Sequence, residues 1–274
     1  MVRDVLVNLA THTKKDRARD YALSLAERFD AHVTGTAFAY EPIIPVMTGI
    51  EGLPVEYIDE ERAANEEMAQ AAKKRFLQAS TPGRCAVYSP SVTISGAAHL
   101  FAKMGRNYDI CVVEQADQET IQYDPIIEAA LFDSGRPVFV VPYIYDKPAK
   151  FDTALVCWDS SKPAARALAD AIPFLRKAEK IHVITVTEAK KIIEEFPGAE
   201  IAEHLSRHGL TVQIKRIDVE DIDIPNAILS HATDIGADFL VMGAYGHTRL
   251  REFVFGGVTA KILTTMTIPT LMSH

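Results

Sequence analysis

The 274-residue chain lacks several features that would place it in a specialised class of protein. It has three cysteines, Cys85, Cys111 and Cys157, and because they form no CxxC pair we expect buried reduced thiols and neither a disulfide framework nor a metal site. No run approaches the roughly 20 apolar residues of a membrane span. The N-terminal segment turns charged after one short apolar run and has no signal-peptide core. These absences predict a cytoplasmic protein with no membrane partner.

Positive charge is also not concentrated in any run of the sequence. The formal net charge is -8, there is no long Lys/Arg run, and aromatic residues are only 8% of the chain. We therefore predict that nucleic acid is not a partner, while a small local anion pocket stays open. Because 48% of the residues are hydrophobic, the chain can bury the core of one large domain or of two ordinary ones.

An internal repeat divides the chain. Residues 3–38 and 152–188 both run strand, polar turn, amphipathic helix and strand, at an offset of about 150 residues. Later in each half, Asp109 and Asp238 stand at matching places just before an apolar strand. A boundary rich in proline and charge lies near 144–151. We predict two domains, residues 1–146 and 151–274, that arose by duplication.

The strands of each half are continuous apolar runs, such as DFLVM, separated by amphipathic helices. Strands that are buried on both faces and joined by helices indicate a parallel α/β sheet. In the first half the spacing of apolar residues also predicts a long helix over about Val55 to Gln78, whereas its counterpart near Ile192 to Arg207 is shorter. The fold class is therefore α/β, with two tandem doubly wound domains.

A glycine-rich stretch follows one apolar run of the second half. Gly243 and Gly246 are followed nine residues later by Gly256, with Gly257 next and then a predicted helix. Glycines allow the backbone to approach a ligand closely and permit positive φ, and a helix N-terminus favours a phosphate. Asp159 ends the first strand of this half and would border the same crevice. This stretch is neither a Walker A loop nor GxGxxG. The context indicates a polyphosphate cradle, although ordinary loop glycines remain the alternative.

The pattern of strand, GxxG, nine residues and glycine, with an aspartate closing the first strand, resembles nucleotide-binding universal stress proteins. The duplication then resembles a tandem member of that family. The resemblance implies a five-stranded parallel sheet per domain in the order 3-2-1-4-5 and ATP, with or without Mg, between the first and fourth strands. It places Asp159 and the backbone near Val186 at the adenine or ribose, and Gly243 near the ribose. The phosphates would lie at Gly246, Gly256, Gly257 and Val258.

One position departs from the family pattern, which has Ser or Thr where this chain has Gly257. A hydroxyl hydrogen bond to phosphate is lost there, at a cost of about 1.5 to 3 kcal/mol. Thr259, two residues on, is a candidate replacement. His247, Arg249 and Arg251 are candidates for positive charge near the phosphates, or else they are solvated loop residues.

The first half has lost these features. Ala10 stands in place of Asp159, and residues 114–117 (EQAD) stand in place of GAYG. Two carboxylates where phosphates would lie are repulsive, so we predict no ATP in this degenerate domain. Its crevice, edged by Asn8, Thr11 and His12, is either vestigial or specific for something else.

Three other features have weaker interpretations. His204 and His208 have the i, i+4 spacing of metal ligands, but no third ligand is evident, so we predict no metal site. His182 is most simply a structural histidine. Trp158, beside Asp159, either stacks on a base or packs under a helix.

The sequence therefore predicts an adenine-nucleotide-binding stress or signalling protein. No GxSxG, HExxH or nucleophile and base pair is present, so we assign no catalytic residue and expect at most slow ATP hydrolysis. One alternative is a non-enzymatic interaction protein with a vestigial site, and another is a nucleotide-transfer enzyme. By resemblance, the two domains would pair through their last strands as an intramolecular pseudo-dimer. A homodimer and an unidentified protein partner also stay open.

Overall fold

The computed structural model describes residues 1–13, 15–42, 55–116, 125–188, 199–219, 223–245 and 257–274, with only the backbone of 55, 186–188 and 217–219. Contacts group these residues into two compact units. The first contains residues 2–114 and 125–136, and the second contains residues 115–116 and those described from 137 to 274. The strand Val138–Val141, which belongs to the first half of the sequence, is thus part of the second unit.

The first unit is built from alternating strands and helices. In chain order they are β1 (Asp4–Asn8), α1 (Arg17–Phe29), β2 (His32–Thr36), β3 (Ala39–Tyr40), α2 (Val55–Ala79), β4 (Cys85–Tyr88), β5 (Ser91–Val92), α3 (Ile94–Gly105), β6 (Ile110–Glu114) and α4 (Pro125–Asp133). The parallel strands run in the order β4-β2-β1-β6, and β3 pairs with β5 in a separate small sheet. The long helix predicted from Val55 is confirmed and ends one residue later than expected, at Ala79.

The second unit has the same alternation. Its elements are β7 (Val138–Val141), β8 (Thr153–Cys157), α5 (Lys162–Leu175), β9 (Lys180–Glu188), α6 (Ala199–Arg207), β10 (Val212–Val219), α7 (Ile224–Asp234), β11 (Phe239–Gly243), α8 (Gly257–Thr265) and β12 (Thr270–Ser273). The parallel strands run in the order β10-β9-β8-β11-β12, which is the predicted order 3-2-1-4-5. The last strands of the two halves, β7 and β12, pair antiparallel. The predicted α/β fold is confirmed.

Polar side chains cap the N-termini of four of these helices. Asp16, Thr93, Ser161 and Asp223 are N-caps whose side chains accept a backbone N–H from the first turn of α1, α3, α5 and α7.

Two equivalent aspartates show that the repeat extends to side-chain roles. Asp109 Oδ2 accepts the N–H groups of Arg3 and Asp4 at 2.7 and 3.0 Å, and Asp238 Oδ2 accepts that of Thr153 at 2.8 Å. Each carboxylate therefore holds the start of the first strand of its own half.

Four phenylalanines form the centre of the second unit's core. Phe139, Phe151, Phe174 and Phe239 are at most 2% exposed, and their ring centroids lie 5.2 to 6.2 Å apart. Several pairs meet edge to face, the arrangement that aromatic quadrupoles favour. Phe139 comes from β7, so this strand is tied to the second unit by packing as well as by its pairing with β12.

Two further features are the state of the cysteines and the apolar character of the helices. All three cysteines are free thiols, with Cys111 buried and Cys85 and Cys157 half-buried. Within the described residues, no helix combines the length and the apolar character that crossing a bilayer requires.

Candidate functional site

The candidate site is the crevice at the carboxyl ends of two neighbouring parallel strands, β8 and β11. Phe239, Leu240 and Val241 of β11 pair with Ala154, Leu155 and Val156 of β8. From β8 the chain continues to β9 and β10 on one side, whereas β11 is followed by β12 on the other. The strand order therefore reverses between β8 and β11, and such a switch point is where doubly wound sheets bind ligands.

Asp159 lies in the tight turn that joins β8 to α5. Its carboxylate accepts the N–H of Ser161 at 2.9 Å, and Ser161 in turn caps α5 by accepting the N–H of Ala164 at 3.2 Å. Ser160 between them has a φ of 60°, the left-handed conformation that a sharp turn requires. Asp159 is exposed and its carboxylate helps to form this turn, and its place at the predicted crevice stays a prediction.

Gly243 lies at the end of β11, as predicted, but for a different physical reason. A Cβ on this residue would stand 2.5 Å from the backbone nitrogen of Ala164 and 2.6 Å from the carbonyl carbon of Pro163. Its φ is not positive. The first turn of α5 therefore occupies the space that a side chain would fill. The absence of a side chain here is explained by the packing of helix on strand and not by a left-handed turn, and a ribose close to Gly243 stays a prediction.

The left-handed residue of this loop is Tyr245, which the sequence did not single out. Its φ is 55°, and its backbone N–H donates to the hydroxyl of Thr259 in α8 at 3.1 Å. Thr259 is 5% exposed. The hydroxyl that the sequence offered to a phosphate thus accepts a hydrogen bond from the chain itself, and it links the end of β11 to the first turn of α8.

The N-terminal turn of α8 is open at its first residue. A Cβ on Gly257 would meet nothing within 4 Å, and its φ is not positive. Gly257 is exposed and Val258 is half-buried. The first N–H groups of a helix have no partner within it and carry a positive partial charge, so this end can accept an anion. The open space also means that the hydroxyl residue of the family pattern would fit here.

Several predicted site residues lie outside the described residues. They are Gly246, His247, Arg249, Arg251 and Gly256. Val186 lies in β9, where only its backbone is described. The structure therefore brings together Asp159, Gly243 and Gly257 with Thr259 around one switch point, and the charged part of the cradle stays a prediction.

A scan against protein-family models matches residues 150–274 to the universal stress protein family. The second half of this chain is therefore a universal stress protein domain. Universal stress protein Slr1230 of a Synechocystis species is 29% identical over 92 residues, which are 33% of this chain and 31% of that protein. The match thus spans about a third of the curated relative.

Solved structures show the same fold over the whole chain. A universal stress protein from Archaeoglobus fulgidus DSM 4304 is 20% identical, with a TM-score of 0.68 that covers 98% of this chain and 95% of that one. A functionally unknown protein from Pseudomonas aeruginosa PAO1 is 14% identical, with a TM-score of 0.58 over 99% and 92% of the two chains. The fold of universal stress proteins therefore extends over both halves of this chain.

The first half of the chain has different contacts at the equivalent position. Glu114, at the position of Gly243, turns its carboxylate onto α1, where it accepts the N–H of Arg17 at 2.9 Å and pairs with that guanidinium at 3.3 Å. Asp16 accepts the N–H groups of Ala10 and Arg19 at 2.9 and 2.8 Å. Burial raises the pKa of Asp16 to about 7 and also raises that of Glu114. Glu114 thus caps α1 and does not stand as a free charge, and Asp117 of the EQAD segment lies outside the described residues. The absence of ATP from this half stays a prediction.

Two histidines of the second unit, His182 and His231, lie close together, and the sequence analysis singled out only His182. The rings of His182 and His231 meet edge to face at 6.2 Å, and Lys215 Nζ lies 3.4 Å from Nδ1 of the buried His231. Burial lowers the pKa of both histidines, and the Lys215 charge adds to that effect. His231 has no repeat counterpart that we identified, so no pattern pointed to it.

His204 lies in the last turn of α6, and His208 follows directly after that helix. The rings of His204 and His208 lie 4.8 Å apart. Across the part of the chain that the structure describes, no group of three or more His, Cys, Asp or Glu residues could hold a metal ion.

Proposed function

We propose that the second unit of this universal stress protein binds an adenine nucleotide, with ATP as the expected form, and that the protein acts in stress response or signalling. One observation carries the proposal. Asp159 lies in the turn after β8, and the open N-terminus of α8 comes after β11 in the chain. The strand order reverses between these two strands, β8 and β11. A base and ribose near Asp159 and a phosphate tail at Gly257 and Val258 would use both features of this switch point.

The chemistry of the open helix end suits a phosphate. A phosphate oxygen accepts hydrogen bonds from the exposed N–H groups of the first turn, and the helix dipole favours its charge. A Cβ at Gly257 would meet no atom within 4 Å, so none of the described residues fills the space beside this first residue of the helix. In this proposal the cradle is completed by Gly246, Gly256, His247 and Arg249. The nucleotide binds with or without a Mg ion.

The proposal includes slow hydrolysis or none, and it gives no residue a catalytic role. Phosphoryl transfer to water needs a positioned water and usually a metal held by an acid or a hydroxyl. Asp159 Oδ1 accepts the N–H of Ser161, and Thr259 Oγ1 accepts the N–H of Tyr245. Both groups therefore help to shape the site, and no described contact assigns either of them to a metal or a water.

Calorimetry with MgATP tests the proposal on three forms of the full-length protein. The intact protein should bind, and Gly246→Asp should not, because a carboxylate would stand among the phosphates. Ser206→Asp is the matched control, since it adds the same charge at an exposed position of α6 in the same unit. Trp158, the one tryptophan of the chain, gives an independent fluorescence signal beside Asp159. Equal binding by the intact protein and Gly246→Asp would exclude the cradle.

A second candidate function is supported by two of the glycines. Gly243 is explained by its contact with α5, without any ligand, and Gly257 lacks the hydroxyl of the family pattern. Both facts fit an interaction protein that keeps the fold of the site and has lost the ligand. Absence of binding at saturating MgATP would favour this function, whereas rapid ATP turnover with a second substrate would favour a nucleotide-transfer enzyme.

A further inference from the structure

We propose that Thr259 is a positioning residue, whose hydroxyl sets the direction in which the glycine loop leaves β11. The bond from the Tyr245 N–H to Thr259 Oγ1, at 3.1 Å, is the central observation. Its consequence for ligand affinity rests on the nucleotide-binding function proposed above. Its consequence for the shape of the loop does not, and the two can be measured separately.

The bond is placed where the backbone needs support. Tyr245 has a φ of 55°, and the left-handed conformation is unfavourable for a residue with a Cβ because the Cβ crowds the carbonyl oxygen. Such a conformation persists only when its surroundings over-determine it. Thr259 is 5% exposed, so its hydroxyl offers the Tyr245 N–H an acceptor in a place where water has little access.

The preceding residue is held from the other side. The N–H of Ala244 donates to the carbonyl of Ser273 at 2.8 Å, and Nδ1 of His274 lies 2.9 Å from the carbonyl oxygen of Ala244. The two residues that start the loop are therefore fixed between the end of β12 and the first turn of α8. Because Gly246 follows directly, the orientation of Tyr245 determines where the next backbone groups of the loop begin.

This assignment gives Thr259 a role beyond that of a phosphate ligand. Its hydroxyl oxygen accepts the N–H of Tyr245, and the residue is buried. A hydroxyl at position 257 would instead stand in open space at the helix end. The structure thus gives Thr259 the task of joining the first turn of α8 to Tyr245, which follows the end of β11.

Amide hydrogen exchange of the full-length protein without nucleotide tests the positioning role directly. In Thr259→Val, which keeps the branched shape and loses the acceptor, we expect the Tyr245 amide to exchange about tenfold faster or more. Thr259→Ser keeps the hydroxyl and should stay close to the unaltered protein. Thr265→Val is the matched control, because Thr265 is exposed and its hydroxyl donates to the Lys261 carbonyl of the same helix at 2.6 Å. The amide of Val241 in β11 reports any general loss of stability.

Calorimetry with MgATP on the same variants then measures the effect on the site. Thr259→Val should bind about tenfold more weakly, and Thr259→Ser should restore most of the affinity. An unchanged Tyr245 exchange rate in Thr259→Val would overturn the inference whatever the nucleotide data show. Faster exchange in Thr259→Val with no MgATP binding by any variant would support the positioning role and refute the nucleotide-binding function.

Discussion

Restoring the missing hydroxyl at position 257 should strengthen nucleotide binding. Gly257 is the first residue of α8 and stands where the family pattern has Ser or Thr. Its φ is not positive and an added Cβ meets nothing within 4 Å, so serine can be introduced without strain. Gly257→Ser places a hydroxyl donor next to the exposed N–H groups of the helix end, where the phosphates are proposed to lie.

The expected size of the gain follows from the kind of bond. A hydrogen bond to a charged group contributes about 1.5 to 3 kcal/mol, which corresponds to roughly ten- to a hundredfold in affinity. Because Gly257 is exposed, part of this bond replaces a bond to water, so we expect the lower end of the range, about tenfold. Replacing glycine also restricts the unfolded chain and should add about 0.4 to 1 kcal/mol of stability.

The assay compares three variants by calorimetry with MgATP. Gly257→Ala has the same Cβ without the hydroxyl and separates the hydrogen bond from the effect on the helix. Gly257→Asp places a negative charge at the helix end and should abolish binding. The reasoning is refuted if Gly257→Ser binds no more tightly than Gly257→Ala while both are folded, or if Gly257→Asp binds as well as the unaltered protein.

Three further predictions concern the frame around the site. Gly243→Ala should lower the free energy of unfolding by about 1 to 3 kcal/mol, because the new Cβ would stand 2.5 Å from the Ala164 nitrogen. Urea denaturation measures this change, and an unchanged midpoint would contradict the role of Gly243 in packing. In the same assay Phe139→Ala should lower the free energy of unfolding by about 3 to 5 kcal/mol, since the ring is fully buried. A decrease below about 1 kcal/mol would refute the place of Phe139 in the core. The pKa of His231 is lowered by burial and by Lys215, so the folded state binds fewer protons and its stability is lost as the pH falls below about 6.5. Between pH 7.5 and 5.5, His231→Asn should reduce the drop in stability, and an identical drop would contradict the neutral buried histidine.

Periodicity and repetition in the sequence were enough to predict the architecture. Continuous apolar runs such as Phe239–Gly243 identify strands buried on both faces, and the repeat gives the order of elements twice. The match of Asp109 with Asp238 proved to be a match of function in the fold, since each holds the first strand of its half. The small sheet of β3 and β5 was not predicted, because two-residue strands carry no periodicity.

The site was predictable in outline but not in its physical reasons. A glycine pattern does not say which neighbour comes close, so the sequence did not reveal that the first turn of α5 lies where a side chain of residue 243 would stand. Tyr245 gave no signal, because a tyrosine is not expected at positive φ and its support comes from Thr259, 14 residues away. Glu114 likewise appeared as a free charge in the sequence, whereas the fold turns it onto α1. These relations depend on contacts between distant residues, which spacing along the chain does not record.

The most direct test of nucleotide binding in the second unit is amide hydrogen exchange of the intact protein with and without MgATP. The account predicts slower exchange at residues 257–260 of α8 and at the turn from Asp159 to Ser161, with no change at residues 10–17 of the first unit. Protection confined to the first unit, or binding of MgATP that leaves the start of α8 unprotected, would contradict it.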